Sequence, residues 1–326
     1  MDELHPINID GVASKFTCYQ AMTKENILEI LLINRQQIQE NSYYGLDFLE
    51  EQNKELANET DEEIQLVLQF NNSLAQFYFH SNYQKALEIC VTAINRYPNT
   101  AYTAALAHHH SFAGVCHTFL AQYDKAEEYL NKALELAEKV RAEKPNLVVA
   151  VLQSLFENSY YRKDAPEKSV SYLKKALAVL IENHDTERLC GCQLQLGQHY
   201  YGQGDYVTAL SYFNSASIGF EDIMHLQNMA ISYNHIGMCY LKMGQPDRAE
   251  TALQKALSIC FKAATPDNTA RCKYNLAQVY VAKKDWIKAL DFAQNSISIF
   301  EDTGNRVEKD EVEQLLSRIA EQLQQA

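Results

Sequence analysis

His108, His109 and His110 form the densest run of chemistry-bearing side chains in the chain. Three imidazoles are raw material for a zinc site. Successive residues of a helix, however, project about 100° apart, so three in a row cannot share one ion without a second element. The triplet is expected to be solvated or to pack. His235 and Cys239 lie four apart and share a helix face, but two ligands do not make a site, and Cys239 is expected in the core. Gly202 and Gly204 resemble half of a phosphate-binding loop; with helices on both sides and no strand, a turn is the reading. No Ser-His-Asp arrangement, paired catalytic carboxylates or Walker sequence is recognisable. The sequence therefore predicts a protein that is not an enzyme and that needs no metal and no cofactor. An enzyme would require a site assembled from several elements.

Composition narrows the class further. The 326 residues include only 11 Gly and 6 Pro, are 47% hydrophobic, and show no β-type alternation. The net charge is −13, and residues 1–63 alone hold 14 acids against 4 bases. An acidic chain argues against nucleic acid and against anionic membrane surfaces as partners. The acidic stretch 40–63 reads as a solvated helix face rather than a docking site for a basic partner. The longest apolar run, Leu147–Leu152, is far too short to span a bilayer. MDELHPINID carries no secretory or transit pattern. The eight cysteines lie on predicted helices without paired spacing, with Cys190 and Cys192 pointing to different sides of one helix. Reduced structural thiols and a cytoplasmic location are expected.

The elements that position these side chains are clearest at 194–216. Leu196, Gly197 and Tyr200 precede Tyr206, Ala209, Phe213 and Ala216, with a turn at Gly202–Asp205. Small residues at Gly197 and Ala209 allow two helix backbones to approach, while Tyr200 and Phe213 fill the space beside them. One such hairpin cannot bury its own apolar face and must be stacked.

Copies recur along the chain. The anchor series is Ala86, Ala126, Ser169, Ala209, Ala249 and Ala289. Twelve residues before each stand Leu74, Gly114, Glu157, Gly197, Gly237 and Ala277. Seven after each stand Ala93, Ala133, Ala176, Ala216, Ala256 and Ser296; three before stand Tyr83, Tyr123, Pro166, Tyr206, Pro246 and Trp286. Agreement at four offsets over six copies identifies a repeat.

These residues resemble the tetratricopeptide repeat (TPR) family. LGQHYYGQGDYVTALSYFNSA (196–216), IGMCYLKMGQPDRAETALQKA (236–256) and LAQVYVAKKDWIKALDFAQNS (276–296) carry its pattern closely. AGVCHTFLAQYDKAEEYLNKA (113–133) does so with His117 where the family usually has Tyr. Residues 156–176 depart most, with Glu157 and Ser169 at small positions, and looser helix packing is expected there. Family repeats are usually ~34 residues long, whereas four of the five intervals here are 40. The spacing from the first to the last small residue is unchanged, so the extra residues fall between hairpins. Shared by two helices, six residues add roughly 4.5 Å to each and deepen the groove. Periods of this length are similar to those of bacterial peptide-pheromone-binding regulators, kinesin light chains and Pins-type adaptors.

The resemblance implies an all-α, TPR-like right-handed superhelical solenoid of antiparallel helix pairs. Residues 1–61 are read as an acidic N-terminal segment and a degenerate hairpin cap. Within them, 1–22 have no clear period, helices follow at about 24–40 and 43–57, and the small packing residues are missing. Six repeats run over 62–302, at about 62–97, 102–142, 146–183, 187–222, 227–263 and 267–302. Thr60 with Glu63 reads as a capping box for the first of them. Residues 303–326 form a C-terminal capping helix.

In such arrays the first helix of each pair lines the concave side. The residues six, three and two before the first small residue, and one after it, are then expected to face the groove. This selects Asn71, Asn72, His108, Phe112, Asn158, Gln195, Gln198, Asn234, His235, Arg271, Asn275 and Gln278, with Ser111, Ser154, Ile231, Met238 and Tyr274 beside them. Amide side chains donate and accept at once, which suits the main chain of an extended peptide. Arg271 and Asn275 match residue types with which some family members clamp a terminal carboxylate, but the basic partners in earlier repeats are missing. The expected function is a non-enzymatic scaffold, in a sharper form a ligand-sensing regulator, that binds a peptide or protein segment in its groove. An alternative is a regulatory module, dimerising through its last helix, that acts on an effector domain encoded elsewhere.

Overall fold

A computed structural model describes residues 22–40, 43–163 and 166–325. The expectation for 1–21, and Cys18 with it, lies outside the described residues. Among the described residues there are fifteen α-helices and no strand. They are α1 (Lys24–Gln39), α2 (Tyr43–Glu55), α3 (Glu62–Tyr78), α4 (Tyr83–Arg96), α5 (Thr103–Phe119), α6 (Tyr123–Lys139), α7 (Pro145–Arg162) and α8 (Pro166–Glu182). There follow α9 (Thr186–Gly202), α10 (Tyr206–Asp222), α11 (Leu226–Lys242), α12 (Pro246–Ala263), α13 (Pro266–Ala282), α14 (Trp286–Thr303) and α15 (Arg306–Gln325). The chain divides into two compact units, residues 1–176 and 177–326, with the division inside α8.

In the first unit α1 to α7 pack consecutively, and α1, α3, α5 and α7 also touch one another in succession. The first helices of the pairs thus form one layer. Its core runs from Ile27, Leu31 and Ile38 on α1 through Leu49 and Leu74 to Phe112 and Cys116. The second unit repeats the scheme: α9 to α15 pack consecutively, and α9, α11, α13 and α15 form the layer of first helices. Its terminal core joins Ala270, Ala277 and Phe300 to Val312, Leu315 and Ile319 of α15.

The small residues do the work expected of them. All twelve residues of the two series beginning at Ala86 and Ala93 are fully buried. At Gly197 an added Cβ would lie 2.5 Å from the Phe213 ring, and at Gly237 and Gly114 it would lie 2.5 Å from Leu253 and Leu130. These crossings close only because no side chain intervenes. Ser169 is as buried as the alanines of its series, whereas Glu157 stands exposed at a position where the neighbouring repeats bury glycine.

The helix ends are punctuated with the same period. Ala121, Gly204, Gly244 and Lys284 between helices of a pair, and His184, Met224, Ala264 and Gly304 between pairs, all have positive φ. A left-handed residue after the last helical turn satisfies its free carbonyls, and only some of these positions are glycine.

Two readings of the N-terminal region change. The cap of α3 is Asp61 rather than Thr60: its carboxylate accepts from the amides of Glu63 and Ile64, and Lys24 pairs with it at 3.0 Å. The hairpin of α1 and α2 does contain a small packing residue, Gly45, where a Cβ would meet the Ile38 backbone at 3.0 Å.

Candidate functional site

A concavity of the first unit lies on its layer of first helices, with a cavity volume of about 490 Å³. Arg35 and Gln39 of α1, Phe70, Leu74, Phe77 and Tyr78 of α3, His108, Ser111, Phe112, Val115 and Phe119 of α5, and Ala150, Ser154 and Glu157 of α7 line it. The wall is aromatic. Phe77 packs on Phe112 at 5.2 Å and edge-on against Phe119 at 4.9 Å, and Phe70 meets Phe112 at 5.6 Å. Tyr78 and Phe119 keep about half of their surface open to solvent. Exposed rings joined to a buried ring cluster form a rigid apolar surface that loses little side-chain entropy on contact.

Polar groups stand at fixed places on this wall. The Arg35 guanidinium lies over the Phe70 ring, 4.7 Å from its centroid, and its Nε donates to Asn71 Oδ1 at 3.2 Å. Asn71, fully buried, donates in turn to the Leu31 carbonyl at 2.8 Å, which fixes the orientation of the arginine. Burial lowers the Arg35 pKa to about 10, so the side chain remains a cation at neutral pH. Burial also lowers His108, beside Phe70 at 5.3 Å, to about 3, which leaves a neutral imidazole. Glu157 keeps an exposed face, and partial desolvation on the wall raises its carboxyl above its ordinary value; burial first, and then the Glu157 charge, raises the Tyr78 hydroxyl.

The expected amide residues are used in several ways. Asn71 and Asn158 are buried inside helix contacts. Asn158 donates to the Tyr123 carbonyl at 3.1 Å and accepts from Thr118 at 3.0 Å, so both amides tie neighbouring pairs together instead of lining open space. Asn72 exchanges two 2.9 Å bonds with Asn53. His108 and Phe112 do line the groove.

In the second unit a polar row crosses the first helices. Gln278 donates to Asn275 at 3.3 Å, and Asn275 donates to Asn234 at 2.9 Å. Gln198 meets His235 Nε2 at 3.2 Å, and His235 stacks on Phe213 at 4.8 Å. Arg271 is exposed and forms an ion pair with Glu308 of α15. Gln195 is half-buried on α9. Asn234, His235 and Gln278 keep part of their surface open; Asn275 is buried.

The chemistry-bearing residues set aside on sequence grounds take structural positions. His109 is buried with Nε2 2.9 Å from the Leu66 carbonyl, and Cys239 is buried. Cys260 and Cys272, unpaired by spacing, meet with sulfurs 3.9 Å apart across α12 and α13. Among the described residues no group of three or more His, Cys, Asp or Glu could hold a metal ion, and no helix is long and apolar enough to cross a membrane.

Spacing missed Arg35, Phe70, Phe77, Phe119 and Glu157. A signal for Arg35 existed: forty residues before Leu74 stands Asn34, which places Arg35 at the groove-facing position one after it. Glu157 was legible only as an irregularity of packing.

Sequence profiles described as tetratricopeptide repeat match residues 111–140 and 228–302. No curated protein matches the chain in sequence. Among solved structures, aspartyl phosphate phosphatase F from Bacillus subtilis is 17% identical, covering 91% of this chain and 80% of its own, with a TM-score of 0.62. BtubC (BKLC) from P. vanneervenii is 20% identical, covering 76% and 93%, with a TM-score of 0.58. A Rap protein complexed with competence and sporulation factor is 14% identical, covering 97% and 91%, with a TM-score of 0.57. At these identities the likeness is one of fold, that of a helical-repeat solenoid. Repeat pattern, matched profiles and fold agree: residues 111–140 and 228–302 are tetratricopeptide repeats, set in a helical solenoid of the same kind.

Proposed function

We propose that this protein is a non-catalytic recognition scaffold that takes an extended segment of another protein into the groove of its first unit. The observation that carries the reading is the groove itself. It is contributed by four successive first helices, walled by joined aromatic rings, and supplied with a few fixed polar groups. An apolar wall with a small number of oriented polar groups is the usual make-up of a binding cleft. The Rap protein solved with competence and sporulation factor has the same fold, which supports a role in binding.

The test is a random array of nine-residue peptides, acetylated and amidated at their ends, probed with the labelled full chain. Ser154 is a half-buried serine on the groove wall, so Ser154→Trp fills the groove from one side. Binding to the selected peptides is expected to fall roughly tenfold or more, as when an interface anchor is obstructed, with the helical circular dichroism signal unchanged. Peptides that bind Ser154→Trp as well as the parent would refute the groove as the site.

A further inference from the structure

Arg35 and Glu157 are the two residues of unlike full charge on the groove wall, and they come from its two ends, α1 and α7. Arg35 bonds through Nε to Asn71, and no hydrogen bond or ion pair among the described residues uses its terminal nitrogens. Its stacking on Phe70 and its bond to the buried Asn71 hold the guanidinium in place before any ligand arrives. Glu157, exposed on the wall, has no basic partner among the described residues, and partial desolvation there raises its pKa. Between them lie Phe70, Phe77, Phe112 and Phe119. A partly desolvated charge without a counter-charge is an energetic liability that a complementary ligand relieves. A planar guanidinium with free terminal N–H groups fits a carboxylate by a two-pronged contact.

We infer that the groove selects a peptide segment carrying an acidic side chain for Arg35, a basic side chain for Glu157 and an apolar side chain between them for the phenylalanine wall. This rests on the recognition role proposed above and names the class of segment recognised. His108 beside Arg35 is neutral, so the full charges among the lining residues are Arg35 and Glu157.

The same end-blocked array separates this inference from the broader reading, because blocked ends leave side chains as the only charges. Parent protein is expected to enrich peptides holding both an Asp or Glu and a Lys or Arg flanking an apolar residue. Arg35→Gln is expected to abolish the acidic enrichment while the basic and apolar preferences persist. Glu157→Gln is expected to abolish the basic enrichment alone. For individual peptides each substitution should weaken binding roughly tenfold or more, as for loss of a charge-assisted contact. If Ser154→Trp blocks binding but the selected peptides show no charge pattern, the charge inference fails and the scaffold reading stands. If Ser154→Trp has no effect, the scaffold reading fails and takes the inference with it. Should Arg35→Gln lose its circular dichroism signal, Glu157→Gln, a change at an exposed side chain, decides: basic enrichment that survives it overturns the inference.

Discussion

At the scale of single residues, burial sets protonation. His109 is fully buried, and the Leu66 carbonyl can only accept, so Nε2 carries the proton and Nδ1 is a bare acceptor without a hydrogen-bond partner. A second proton would place an unpaired charge in the core beside Arg35. Burial accordingly lowers the His109 pKa to about 4, against an ordinary value of 6.5. The sign follows: between those values the unfolded chain binds the proton and the folded chain does not. The contribution of His109 is therefore complete above pH 6.5 and is lost as pH falls towards 4. Urea unfolding at pH 6.5 and 5.5 should show about 1 kcal/mol lost to this residue. His109→Gln is expected to be less stable at pH 7 but to have the shallower pH slope; an equal slope would refute the assignment.

At the scale of elements, two opposing effects of a glycine can be weighed. Replacing a helical glycine by alanine gains about 1 kcal/mol of helix propensity, while overfilling a packed crossing costs about 1–3 kcal/mol. At Gly191 an added Cβ meets nothing within 4 Å, and at Gly237 it meets Leu253 at 2.5 Å. Gly191→Ala should therefore stabilise the protein by about 0.5–1 kcal/mol, whereas Gly237→Ala should destabilise it by about 1 kcal/mol. Both are read from urea midpoints, and stabilisation by Gly237→Ala would refute a close α11–α12 crossing. The need for small residues was legible because it recurs at fixed offsets. Gly45 escaped because it lies one residue out of phase, on a hairpin with no other landmark.

At the scale of the molecule, the packing within each unit is nearly all between successive helices or between each first helix and the next. Stability in such an array is a sum of repeat and nearest-neighbour terms, and local damage stays local. In Gly237→Ala, hydrogen exchange should quicken in α10–α13, with protection of α3–α6 in the first unit unchanged. Uniform loss over both units would mean a single cooperative block instead. The binding reading belongs to this scale too, since four helices are needed to make one groove wall.

The repeat, its period, the helix pairs and the buried small residues were fixed by sequence alone, because helix crossings impose a local rule on residue size that every copy must obey. The lining of the groove was settled only by tertiary structure. Polar residues on one helix face look alike in sequence, yet Asn71 and Asn158 turn to neighbouring backbone carbonyls while His108 and Ser154 remain on the wall. Arg35 and Glu157 became a pair of opposed charges only when α1 and α7, more than a hundred residues apart in the chain, were brought to one surface. Which atoms end beside which is decided by packing between elements, and no spacing rule within one repeat contains that information.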